Sequence, residues 1–208
     1  MHIRHIRGRL GITVCLSILF LFLNMEKLQS VKKKLVKAAE QLFYQNGYNR
    51  TGINEIIGAA NVAKASLYAN FGSKDDLLVA YINSKEKTFT HKLDSFVEMR
   101  VQGRDKIICL FDFLLEMYQQ TDFRGSWCIN TLAEVDRDND RLRKEIAASK
   151  ERFRAYIKNL INDNINTNDA HTISNKIYVL FEGALVESYL HNASWPILEA
   201  KDTAKLLV

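Results

Sequence analysis

Between Asn61 and Leu78 the chain reads NVAKASLYANFGSKDDLL. Within this stretch Lys64, Ser66, Tyr68 and Asn70 bring an ammonium, two hydroxyls and a carboxamide close together, interleaved with Ala63, Ala65 and Ala69. Nothing here pairs a nucleophile with a base or spaces ligands for a metal. The chemistry open to these groups is hydrogen bonding and charge. Such donors suit base edges and phosphate oxygens, and alanine neighbours let a helix backbone approach the floor of a DNA groove.

The rest of the chain adds no catalytic constellation. His91, His171 and His191 are scattered, with no glycine-rich phosphate loop and no metal-ligand spacing around them. The reading is a protein that is not an enzyme and needs neither cofactor nor metal. Cys15, Cys109 and Cys128 form an odd set without CxxC or CxxH spacing, which points to a reduced, cytoplasmic chain rather than a disulfide framework. Cys109 and Cys128 lie in apolar surroundings, where a thiol acts as a small hydrophobe.

Elements that position the polar stretch follow from periodicity. The 208 residues are 47% hydrophobic, with one proline and nine glycines, and apolar residues recur three and four apart almost throughout. An all-α fold is expected, since strands need turns and turns need those residues. A first helix, Lys27 to Asn46, carries Leu28, Val31, Leu35, Ala38, Ala39, Leu42 and Phe43 on one stripe and stops at Gly47. Thr51 is placed to cap a short helix from Gly52 to Ala60, with Ile53, Ile56 and Ile57 inward. Asn61 takes the left-handed turn position, and a helix from Lys64 to Asn70 follows, anchored by Leu67 and Phe71. Two short helices joined by a tight turn and backed by a first helix make a helix-turn-helix unit, the second helix lying in the DNA major groove.

Charge is distributed accordingly. From Met25 to Thr90 ten Lys and Arg face six Asp and Glu, whereas His91 to Val208 has sixteen against eighteen, within a net charge of +5. The polyanion's complement is at the front. Lys32, Lys33, Lys34 and Lys37 taken alone read as the solvated face of the first helix. Residues 1–24 combine basic MHIRHIRGR with a 14-residue apolar run, Leu10 to Leu23. That run is shorter than the roughly 20 residues of a spanning helix, and no small-x-small cleavage site follows. Residues 1–24 read as an upstream extension or leader with Met25 as the start, a membrane tether being the alternative; no membrane partner is expected.

From Ala38 to Leu78 the sequence AAEQLFYQNGYNRTGINEIIGAANVAKASLYANFGSKDDLL resembles the DNA-binding domain of the TetR/AcrR family of bacterial transcriptional regulators. Its LYxxFxSKxxLL signature falls on Leu67, Tyr68, Phe71, Ser73, Lys74, Leu77 and Leu78. The resemblance implies that Lys64 and Ser66 face base edges, that Tyr68 and Asn70 meet the backbone or groove wall, that Lys74 pairs with a phosphate, and that Thr51 caps the second helix beside the DNA backbone. Three positions depart from the family pattern: Asn61 and Ala65 stand where glycine is common, and Gly52 where a hydroxyl often touches phosphate. The chain divides into an extension (1–24), a helix-turn-helix domain (25–73) and a helical effector-binding and dimerisation domain (74–208).

Beyond Lys74, helices are expected to about Met99, then over Asp105 to Gln120, Trp127 to Asp136, Asn139 to about Asn164, Ala170 to His191, and from Pro196 onward; Ser73 and Asp76 form a capping box for the first of these. GSWCINTLAEV, Gly125 to Val135, resembles a glycine-cysteine-asparagine pattern of one branch of the family. The resemblance implies an effector pocket between these helices and a homodimer built on the last two long ones. Phe111, Leu114, Leu115, Tyr118, Trp127, Cys128 and Asn130 are the candidate pocket residues, and Ile177, Phe181, Ala184 and Leu185 the candidate dimer face. The implied function is a regulator, a repressor released from double-stranded operator DNA by a small organic effector. The alternative is a DNA-binding or protein-interaction protein of the same fold without effector control.

Overall fold

The described residues of the computed structural model are 29–100 and 102–208, with Arg100 described by its backbone alone. The readings made for residues 1–24, including Cys15, and the helix start at Lys27 lie outside them. Among the described residues there are helices and no strands. They are α1 (residues 29–46), α2 (Ile53–Ala60), α3 (Lys64–Asn70), α4 (Lys74–Arg100), α5 (Asp105–Tyr118), α6 (Trp127–Glu134), α7 (Asp140–Asn164), α8 (Ala170–His191) and α9 (Trp195–Lys205).

The first three helices and the start of α4 close around Leu35, Ala39, Phe43, Ile56, Leu67, Phe71, Leu77 and Tyr81, all buried. Phe43 sits edge-on to both Tyr48 and Tyr81, with centroids 5.5 and 5.6 Å away. Gly47 ends α1 at φ +89°, and a side chain there would meet the Glu134 carboxylate at the far end of α6. Asn61 takes φ 51° between α2 and α3, as its tolerance of the left-handed region allows.

Thr51 does not cap α2. The N-cap is Gly52, whose N–H is received by Glu55 at 3.3 Å. Thr51 is fully buried, and its hydroxyl donates backward to the Gly47 carbonyl at 2.7 Å and the Leu42 carbonyl at 3.3 Å. It locks the end of α1 to the start of α2, satisfying carbonyls that the helix terminus leaves open.

Ser73 caps α4: its hydroxyl receives the Asp76 N–H at 3.1 Å and donates to the Asp76 carboxylate at 2.9 Å. The 27-residue α4 is buried on more than one side, its front half against α1 and its back half against α5 and α7. Leu93, Phe96 and Val97 continue its buried positions down to the break at Gly103, φ +58°.

The rest of the chain packs α5, α7, α8 and α9 around a phenylalanine cluster. Phe89 touches Phe113, Trp127, Phe153 and Phe181, at centroid distances of 5.2 to 6.4 Å. The α8 stripe expected to face a second subunit is part of this core. Ile177, Phe181, Ala184 and Leu185 are at most 4% exposed, because α8 is gripped by α5, α7 and α9 of its own chain. Its outward side instead carries Val179, Gly183, Val186 and Leu190, spaced four, three and four residues apart, and α9 adds Trp195 and Leu198.

Candidate nucleic-acid interface and cavity

With 3.6 residues per turn, Leu67 turned into the core leaves Ala65 and Ala69 at the centre of the outward face of α3. Both alanines are exposed. Lys64 and Tyr68, one turn apart, form one edge of that face and are exposed; Ser66 and Asn70 form the other and are half-buried. Asn70 spends one amide hydrogen inside the helix, donating to the Ser66 carbonyl at 2.7 Å. The four polar residues thus flank a small-residue ridge on two sides. A helix with such a ridge can seat deeply in a groove.

Lys74 opens α4 beside this face, its Nζ 4.2 Å from the centroid of the Tyr48 ring. Burial pushes its pKa down, against the pull of Glu134 and Asp75. The Tyr48 hydroxyl donates to Asp75, which also receives the Asn139 side chain at 2.9 Å. Burial and then that carboxylate push the Tyr48 pKa up. The start of α4 is thereby tied both to α1 and to α7. Lys32, Lys33, Lys34 and Lys37 of α1 are exposed, a solvated face as expected, and Lys32 also lies over the Phe71 ring at 5.6 Å, next to the end of α3.

Behind this unit, α4, α5 and the segment leading into α6 line a cavity of about 630 Å³ that is open to solvent along one side. Its apolar wall comes from Phe89 and Phe96 of α4, Phe113 and Met117 of α5, Phe123 and Trp127. Lys85 and Lys92 line it from α4, Glu116 and Asp122 from the other side. Of the seven candidate pocket residues, Trp127 is in this wall. Phe111 and Leu114 are fully buried in the core, Leu115 and Tyr118 are half-buried, and Tyr118 packs on Phe123 with centroids 5.5 Å apart. Cys128 is buried, its thiol 3.9 Å from the Ser149 hydroxyl and its pKa pushed up by burial. Asn130 is exposed and donates to the Arg124 carbonyl at 2.8 Å; with Trp127 it borders a second, more polar cleft under the end of α1. Tyr44 borders both spaces and its hydroxyl receives the Arg124 N–H at 2.8 Å.

Among the described residues, no group of three or more His, Cys, Asp or Glu side chains is placed to hold a metal ion, and no helix is long and apolar enough to cross a membrane.

A helix-turn-helix unit presenting a small-residue ridge flanked by donors, carried on an otherwise all-helical chain, defines a DNA-binding transcriptional regulator. The family model described as "Bacterial regulatory proteins, tetR family" matches residues 35–81. The chain belongs to the TetR family of transcriptional regulators. It is 26% identical over 170 residues to the HTH-type transcriptional regulator LmrA of Bacillus subtilis, covering 80% of this chain and 90% of that one. Its fold is similar to that of reduced NemR of E. coli, with a TM-score of 0.75 at 20% identity over 85% of this chain and 97% of that one. It is also similar in fold to FadR of Bacillus subtilis in complex with stearoyl-CoA, with a TM-score of 0.65 at 16% identity over 85% and 97%.

Proposed function

We propose that the protein is a ligand-responsive repressor, acting in the cytoplasm as a homodimer whose two α3 helices read the halves of an operator, and that a small organic effector in the 630 Å³ cavity releases it. The observation that carries this reading is the double role of α4. Its first residue, Lys74, follows α3 after the three residues Phe71 to Ser73, while Lys85, Phe89, Lys92 and Phe96 of the same helix wall the cavity. Anything that displaces α4 in the cavity moves α3. In this reading residues 25–73 bind DNA, residues 74–208 bind effector and partner, and α4 couples them.

One recognition helix contacts too few base pairs for genomic selectivity, so two must act on half-sites about 34 Å or more apart. A second copy seated on Val179, Gly183, Val186 and Leu190 of α8, with Trp195 and Leu198 of α9, supplies the pair. These side chains are exposed, and nothing lies within 4 Å of where a Gly183 side chain would begin. The stearoyl-CoA bound to FadR supports the effector half of the reading, because a protein of similar fold holds an organic ligand.

The test is to select from random double-stranded DNA the sequences the protein retains, then screen small organic molecules for release of the selected site. A two-fold symmetric site and ligand-dependent release are expected. Retention of asymmetric DNA, or release by no ligand that fills the cavity, favours a DNA-binding protein of the same fold without effector control.

A further inference from the structure

The cavity between α4, α5 and α6 is apolar in bulk, and its wall carries a half-buried cation, Lys85, in a row with Lys92. The Trp127 ring in that wall is held against Phe89 at 5.2 Å, with its indole N–H enclosed and without a hydrogen-bond partner among the described residues. Lys85 rests its Nζ 4.2 Å from the centroid of the Tyr44 ring, and no carboxylate among the described residues is in ion-pair contact with it. Burial pushes its pKa down; Glu40 and Asp122 act against this from a distance, and Lys92 reinforces it. A buried donor or cation left unpaired is costly, and the cost falls when a ligand brings the acceptor.

The acidic residues in the wall do not fill this need. Asp122 is exposed in the segment after α5 and pairs with neither lysine, and Glu116 is exposed with an interaction of its own. His91 and Lys92 extend the basic side along α4 toward the exposed rim. A lipophilic cation placed in this space would meet Lys85 and Lys92.

Resting on the reading of this cavity as the effector site, we propose that its ligands are lipophilic organic anions: an aromatic or aliphatic body lying along Phe89, Phe96 and Phe113, with a carboxylate-type head on the Lys85 ammonium. The volume is in the range that encloses a drug-sized molecule. The head gains a charge-assisted hydrogen bond from the half-buried ammonium.

The test uses the full chain and three probes of one skeleton, 4-phenylbutyrate, its methyl ester and 4-phenylbutylammonium. Binding is measured by calorimetry and by the Trp127 indole N–H signal in NMR, assigned through Trp127→Phe. The acid is expected to bind roughly tenfold or more tightly than either analogue. Lys85→Met should bring the acid down to the level of the ester without changing the ester, and Lys85→Arg should retain the preference. Equal affinity for acid and ammonium, or an acid indifferent to Lys85→Met, overturns the inference. If ester and ammonium bind, weaken in Phe113→Ala, and the acid has no advantage, the effector cavity stands and only the anion assignment falls. If none of the three binds or moves the indole signal, both readings fall.

Discussion

The carboxylate of Glu134, in the last turn of α6, receives the backbone N–H of Asn49 at 2.6 Å, and the Glu134 carbonyl receives the Asn49 side-chain amide at 2.9 Å. With Gly47 leaving room for that carboxylate, and Arg124 donating to the Gln45 carbonyl at 2.6 Å, the end of α1 is clasped to the segment that borders the cavity. The DNA-binding helices are therefore held by α6 as well as by α4.

Removing the clasp has a modest, local cost, because Asn49 is exposed and water replaces the lost acceptor. Glu134→Ala is expected to destabilise by about 0.5–1.5 kcal/mol, a fall in Tm of about 1–6 °C. Glu134→Gln, which keeps an acceptor oxygen, should recover most of it. Hydrogen exchange at the Asn49 amide is the direct reading, and unchanged protection in Glu134→Ala contradicts the clasp.

At the DNA face the two lysines should behave differently. Lys74→Ala is expected to weaken binding to all sequences alike and to lower the slope of log K against log salt by about 0.9, as the loss of one phosphate contact does. Lys64→Ala should relax base preference, with a loss of about 1–3 kcal/mol on the preferred site. Salt titrations on the selected site and on a scrambled one separate the two. A change of sequence preference in Lys74→Ala without uniform loss reverses the assignment.

Much of this face was legible because its signals are local. Gly47, Asn61 and Ser73 mark where helices stop, turn and start, and Leu67 with Phe71 fixes which side of α3 is buried. The cavity was not legible. Candidate wall residues such as Phe111 and Leu114 lie on the innermost side of α5, whereas the wall is made by Phe113 and Met117 and by Phe89 and Phe96 of α4. Because α4 is apolar on several sides, it shows no single stripe from which a cavity side could be read. On α8, the stripe through Phe181 and the one through Val179 are both apolar, and only the packing of α5, α7 and α9 decides which is inside. For Thr51, a hydroxyl one residue before Gly52 reads as a cap until the chain reversal brings the Gly47 carbonyl within 2.7 Å.

The start of α4 also sets a pH dependence. The Arg141 guanidinium, and then the Ser73 hydroxyl, hold the Asp76 carboxyl below its ordinary range. A carboxyl whose folded pKa is depressed adds stability above its unfolded value, about 3.9, and loses it as pH falls through the lower folded value. Asp76→Asn should therefore melt below the wild type at pH 7, and the difference should close as pH falls through the lower folded value. A difference that persists at the acid end would assign the effect to packing instead.

The two sides of α8 lead to opposite outcomes from superficially similar substitutions. Ala184 is 4% exposed, in the core beside Phe181 and Leu185. Ala184→Glu places a carboxylate there without a partner and is expected to cost more than about 4 kcal/mol, seen as loss of folded protein rather than as a clean monomer. Val179 is 66% exposed and Leu190 69%. Lysine at either of these positions leaves the protomer's own stability within about 0.5 kcal/mol. In a dimer built on this side, however, Val179→Lys sets like charges close across a two-fold interface and removes apolar area from both copies. Val179→Lys and Leu190→Lys should sediment as folded monomers with undiminished helical circular dichroism and lose affinity for a symmetric operator. A Val179→Lys, Leu190→Lys double variant that remains dimeric and binds that operator normally would place the partner elsewhere.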